Sequence, residues 1–314
     1  MKSIINDSTE SVLNNMDTIL TESGFAGPTD IPKLVYLSLV TGMLSRPVSM
    51  VIKGASGAGK SFALNAALQF VPANAYERFE GMSEKAIVYL KGIDLKHKHL
   101  IIGEAAGMAE GAGRALLRQL LSEGKVRYAT VESTDKGLSG KELLALEGPT
   151  GLIMTTTATA LHPEDESRML SVHIRESREA IREALMAQAT GQAKEKKQID
   201  SAPWLSLWDW MREQPKNVQI PYARDIAERL PATHDRIKRD FVQVLSLIKA
   251  SALVHGSDRE RDENGEIIAN KRDYEIIFDL LNGPLSVGLS RSVSDHVRKL
   301  VEAVDRLAKS KERP

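Results

Sequence analysis

Eight consecutive residues, Gly54-Ala55-Ser56-Gly57-Ala58-Gly59-Lys60-Ser61, have types and spacing suited to holding a chain of phosphates. Three glycines allow the backbone to curl until successive N–H groups face one point, and a helix starting at the lysine adds the partial positive charge of its N-terminus. The run satisfies G-x-x-x-x-G-K-[ST] in full. In that pattern Lys60 reaches the β- and γ-phosphates and the Ser61 hydroxyl binds Mg2+. A glycine-rich turn with an exposed lysine is the bland alternative. The apolar run Met50 to Ile52 before the pattern and the helical stretch Ser61 to Phe70 after it favour the phosphate reading. The expected cofactors are ATP and Mg2+.

A phosphoryl-transfer site also needs acids at the end of a second apolar strand. His99-Leu100-Ile101-Ile102-Gly103-Glu104 offers one carboxylate, with Gly103 standing where an aspartate is expected. Glu104 then acts as general base for water, as the outer-shell partner of the magnesium, or as both, unless it is a plain surface glutamate. The missing acid leaves slow hydrolysis, or binding without hydrolysis, open. Thr155-Thr156-Thr157 ends the next apolar run, where a hydroxyl can sense the γ-phosphate or orient water, against the general preference of threonine for strands. Arg168 precedes the last apolar run and can reach a neighbouring subunit's nucleotide in trans, or pair locally with Glu164, Asp165 or Glu166.

These residues must be positioned by an α/β framework. Between 48 and 190, apolar runs at Met50 to Ile52, Leu100 to Ile102, Leu152 to Met154 and Leu170 to Ile174 alternate with helical segments, the pattern of a mostly parallel sheet. Val126 to Val131 and Glu142 to Leu146, joined by residues 135 to 140, read as an inserted β-hairpin. Residues 1 to 47 read as two helices, about Ser8 to Glu22 and Ile31 to Met43, parted by Gly27-Pro28. The polar stretch within 191 to 203 reads as a linker, and 204 to 314 as a second, helical domain. There Trp204, Trp208 and Trp210 are expected in the core. Pro221 opens a helix to Leu230, Thr233 caps a longer one to about His255, and Asp262-Glu263-Asn264-Gly265 turns between two short strands. Further helices start near Asp273 and span about Val293 to Lys311. Helix, helix and hairpin in this order suggest a winged helix.

Composition narrows the classes further. The 314 residues carry 42 Lys plus Arg against 42 Asp plus Glu and no cysteine. A disulfide framework, a thiolate zinc site and a cysteine nucleophile are excluded, and a cytoplasmic setting is expected. Seven scattered histidines give no zinc spacing. Neither a signal sequence nor a membrane span is read, since Ile31 to Leu44 is too short and contains Lys33. The hairpin is mildly basic, with Lys125, Arg127, Lys136 and Lys141 against Glu132 and Asp135. The segment 258 to 279 holds four basic against eight acidic residues, a poor phosphate clamp. Arg236, Lys238 and Arg239 on the preceding helix are better placed for DNA.

Taken together, the P-loop, the one-acid strand end, the hairpin before the next strand, the polar strand end and Arg168 resemble an AAA+ ATPase. The branch is the one with a hairpin before the sensor strand, to which the minichromosome-maintenance helicases belong. The stretch Val51 to Leu170 is also similar to the ATPase portion of phage and plasmid primase-helicase-like proteins, notably at Met82 to Ala86, Glu104 to Met108, Leu120 to Gly124 and Glu147 to Gly151. The resemblance implies a ring-forming homo-oligomer, such as a hexamer, whose hairpins grip DNA in a central pore. It implies a nucleotide cradle at Gly54 to Ser61, a catalytic acid at Glu104, a sensor at Thr156 or Thr157, a finger at Arg168 and a pore contact at Lys136. A DNA-acting motor of a replication system or mobile element, working with a replication partner protein, is the expected function. A nucleotide-gated loader or regulator with weak hydrolysis is the rival that Gly103 favours.

Overall fold

The computed structural model describes residues 11–83, 86–89, 92–104, 112–134, 137–158, 161–174, 178, 181–182, 185–186, 189, 198–230 and 236–289. Its strands are β1 (Met50–Lys53), β2 (Tyr76–Phe79), β3 (His99–Ile102), β4 (Lys125–Thr134), β5 (Gly137–Glu147), β6 (Gly151–Thr156) and β7 (Leu170–His173). Five of them form a parallel sheet in the order β2-β3-β6-β1-β7, so the α/β class and parallel sheet expected from the sequence are present. Four of those strands correspond to the apolar runs. The fifth, β2, reads Tyr-Glu-Arg-Phe and lies half-buried at the sheet edge, where a continuous apolar run is not required.

Because side chains alternate across a strand, each face of the sheet has its own core. Met50, Ile52, Ile101, Ile153, Leu170 and Val172 face one side. There they meet α1 (Val12–Glu22), α2 (Asp30–Val40) and α3 (Lys60–Leu68). Val51, Leu100, Ile102, Leu152 and Met154 face the other side, against α4 (Ala86–Tyr89) and α5 (Ala112–Glu123). The hairpin β4–β5 is a separate two-stranded ribbon, longer than the sequence pattern suggested because β4 runs to Thr134 and β5 resumes at Gly137. Val126 and Leu146 bury its base, whereas Val131 further out is exposed.

α6 (Pro163–Glu166) precedes β7, and the second half supplies α7 (Ala202–Glu213), α8 (Ala223–Arg229), α9 (Arg236–Val254) and α10 (Lys271–Leu289). These helices share the first core with α1 to α3. Trp204 and Trp208 are buried, and Trp204 packs edge-on against Tyr36 of α2 and Phe70 just after α3, at centroid distances of 5.6 and 4.7 Å. The aromatic burial offsets the entropy of ordering both segments. Asp262 Oδ1 accepts the N–H groups of Asn264 and Glu266, and Gly265 takes φ +77°, completing the expected turn. Its flanks pair only as single bridges, Arg261 with Ile267 and Gln219 with Ile268, in place of the two short strands expected. The expected Thr233 cap, the charged run 192–197 and the helix at 293–311 lie outside the described residues. Ser11 caps α1, and α2 is followed by a 3-10 turn, Thr41–Met43. Among the described residues no helix is long and apolar enough to cross a membrane.

Candidate nucleotide site

The loop Gly54–Ser61 leaves the carboxyl end of β1, which is buried at all four positions and flanked by β6 and β7. Open parallel sheets bind ligands at this edge. Gly57 and Gly59 take φ of +83° and +86°, left-handed values that a side-chain-bearing residue resists. Gly59 is the N-cap of α3 and offers no side-chain cap, so the first N–H groups of the nine-residue helix keep their donors for another acceptor. Lys60 is buried, and its ammonium donates to the carbonyls of Gly54 at 2.8 Å and Ala55 at 2.7 Å, which folds the charge into the curl of the loop. Ala55, Ser56 and Ser61 are exposed on its outer side, with Ala58 half-buried. Phe62, 53% exposed, stacks on Phe25 at 4.9 Å and ties the turn after α1 to the start of α3.

Glu104 follows β3 and is exposed, and its N–H donates to the Glu80 carbonyl at 3.0 Å. Thr155 Oγ1 donates to the Gly103 carbonyl, which joins the ends of β6 and β3. Alternation along β6 puts Thr155 on the α3 face with Ile153, and Thr156 on the α5 face with Met154. Thr156 is buried and accepts the Ala158 N–H at 3.1 Å, and Thr157 lies past the strand and is exposed. The hydroxyl on the P-loop face of this strand end is therefore that of Thr155, one residue before the pair singled out from the sequence.

The segment after β6 is a polar junction that sequence reasoning did not find. Lys53, 2% exposed at the last position of β1, donates to Glu166 Oε1 at 2.6 Å. Burial pushes the Glu166 carboxyl up, but Lys53 and the donors on Leu161 and Ser171 hold it below the usual range. Burial also pushes Asp165 up, and paired hydrogen bonds from Arg118 and Arg114 bring it below the usual range. His173, beside Lys53, is lowered by burial and by that ammonium. Arg168 donates to Ser122 Oγ at 2.8 Å and to the Glu164 carbonyl at 2.6 Å, with no carboxylate among these partners. With Arg114, Arg118, Leu152, Met154 and Met169 it lines a cleft.

Among the residues proposed for DNA, Arg127 is exposed on β4, and Lys136 lies outside the described residues. Lys238 is exposed on α9, Arg236 pairs with Asp240 at 3.3 Å, and Arg239 donates to Ser167 Oγ at 2.7 Å. Among the described residues no group of three or more His, Cys, Asp or Glu side chains converges as a metal site. Ser61 and Glu104 are hard oxygen donors that suit magnesium, an ion that takes one or two protein ligands and completes its shell with phosphates and water.

No family model matches the chain, and no curated protein matches it. The fold is α/β, with a five-stranded parallel sheet compatible with a P-loop-like core.

Proposed function

We propose that the protein binds ATP with Mg2+ at Gly54–Ser61 and hydrolyses it as an AAA+-type ATPase acting on DNA. The observation that carries this reading is the loop itself. Two left-handed glycines, an uncapped helix start and a buried lysine converge at the carboxyl edge of a parallel sheet. The N–H groups and Lys60 hold the phosphates, Ser61 and Glu104 hold the magnesium, and Glu104 orients and deprotonates the attacking water. Bound magnesium neutralises charge developing on the phosphates. The exposed ring of Phe62 offers a face for the base.

The DNA part of the proposal is supported by the hairpin, whose strands of 10 and 11 residues bury Val126 and Leu146 near the base and expose Val131 further out. At about 3.3 Å per residue the ribbon is roughly 30 Å long. A ring of such ribbons would gather the charge of Arg127 and Lys136 from each copy, and the helix, bridge and turn order of the second half is compatible with a winged helix. The test is ATP turnover with and without single- or double-stranded DNA. We expect DNA stimulation and complete loss in Lys60→Ala; no stimulation by any nucleic acid would remove the DNA-acting reading.

Gly103 favours the second reading, a nucleotide-gated loader or regulator. Native mass with and without ATP, beside turnover of Glu104→Gln, separates the two. A motor assembles with ATP and loses turnover in the variant, whereas a binder shows negligible turnover as wild type.

A further inference from the structure

Gly103 marks the place where β3 lacks an acid, and the structure shows what fills that place. Past the last registered pair of β2 and β3, Phe79 with Ile102, the two chains stay hydrogen-bonded: Gly103 N–H donates to the Phe79 carbonyl at 2.8 Å and Glu104 N–H to the Glu80 carbonyl at 3.0 Å. Glu80 and Gly103 are thus neighbours across the strand ends. A Cβ built on Gly103 would lie 2.8 Å from Glu80 Oε2, 3.1 Å from the Glu80 carbonyl and 3.3 Å from its Cα. The Glu80 carboxylate occupies the space into which an aspartate at position 103 would project.

The carboxylate is also on the face of the sheet that carries α3, at the same edge as the P-loop. Gly103 continues the side of β3 that carries Ile101, which packs in the core shared with α3. Arg78, two residues before Glu80, donates to Asn65 Oδ1 of α3 at 2.8 Å and so links β2 to α3. From there two strand residues rise about 6.6 Å to Glu80. Four helical residues rise about 6 Å from Asn65 to Ser61, because α3 runs back from the same sheet edge. Glu80 thus lies toward the same edge of the sheet as Ser61.

Little holds it elsewhere. Its side chain is 78% exposed, and its contact is a charge pair with Arg78 Nε at 3.0 Å that lacks hydrogen-bond alignment. Such a pair contributes little and yields readily to a stronger cation.

We propose that Glu80 supplies, from the neighbouring strand, the magnesium-side carboxylate that β3 lacks at Gly103. This rests on the nucleotide reading above. It divides the acids of the site: Glu80 serves the metal on the α3 face, and Glu104 is released for the water.

The test uses the full chain, a fluorescent ADP analogue and titrated Mg2+, with Mn2+ resonance spectra as a second readout. Glu80→Gln keeps the shape at an exposed position and is expected to fold as wild type. The Mg2+ concentration at half-effect should rise about tenfold or more, the loss expected for one charge beside a divalent ion in a wet site. Affinity for the metal-free nucleotide should stay unchanged. The double variant Glu80→Ala/Gly103→Asp, which moves the carboxylate to β3 and removes the side chain it would strike, should recover most of the loss. A Glu80→Gln midpoint within about twofold of wild type, with nucleotide still bound, overturns the role of Glu80 alone. Failure of the wild-type chain to bind nucleotide overturns the P-loop reading and this role with it.

Discussion

Glu166→Ala is the perturbation whose cost follows most directly from the structure. It would leave the Lys53 ammonium, 2% exposed at the last position of β1, without the carboxylate 2.6 Å away. Breaking a buried pair from one side costs about 3–5 kcal/mol, because the remaining buried charge loses its carboxylate. Lys53→Met should cost less, about 3 kcal/mol, because Glu166 is 19% exposed and keeps the Ser171 hydroxyl and Leu161 N–H as donors. Replacing both, as Lys53→Met/Glu166→Leu, should return stability to within about 1 kcal/mol of wild type. Urea unfolding followed by tryptophan fluorescence measures all four proteins. The pH dependence provides an independent check. Glu166 is lowered on folding, so the pair contributes fully above the ordinary carboxyl value of 4.5 and loses its contribution as pH falls through the lower folded value. Wild type should therefore lose stability relative to the double variant only in acid. Single variants each within 1 kcal/mol of wild type, or a difference flat from pH 7 to pH 3, would refute the argument.

Two further substitutions test the packing that positions the site. Trp204→Ala removes a ring 1% exposed between Tyr36 and Phe70, and should cost about 3–5 kcal/mol in a calorimetric scan. Gly151→Ala places a methyl into the buried His99 ring and should cost about 1–3 kcal/mol by urea unfolding. Gly81→Ala, which meets nothing within 4 Å, should stay within about 0.5 kcal/mol and serves as its control.

What was legible in the sequence was local. The P-loop can be read because its glycines, lysine and hydroxyl are contiguous and their backbone requirements are intrinsic to the residue types. The buried strands can be read because both faces are covered, which leaves apolar runs. β2 escaped because an edge strand tolerates Glu77 and Arg78, and Glu80 escaped with it. Nothing about an exposed glutamate more than twenty positions before Gly103 announces that the two are neighbours across the strand ends. Lys53–Glu166 and the pairing of Asp165 with Arg114 and Arg118 are likewise products of topology, since β1, α5 and α6 meet only once the sheet has formed. Thr155 was passed over in favour of Thr156 and Thr157 because the facing of a hydroxyl depends on register, and register follows from the β3–β6 pairing.

The same distinction bears on where DNA would be held. Counted along the chain, Arg236, Lys238 and Arg239 form a basic cluster at the start of a helix. In the fold, Arg236 is turned toward Asp240 and Arg239 toward Ser167, at the end of the turn that carries Asp165 and Glu166. A guanidinium engaged with its own protein must give up that contact to meet a phosphate, so the net gain from binding is reduced. Arg127 is exposed on the hairpin, and its charge would multiply with each copy in a ring. On the DNA-acting reading, charge reversal at Arg127 should therefore weaken DNA stimulation of ATP turnover more than charge reversal at Arg239, with turnover lacking DNA as the reference. The opposite ranking would move the DNA contact from the hairpin to α9.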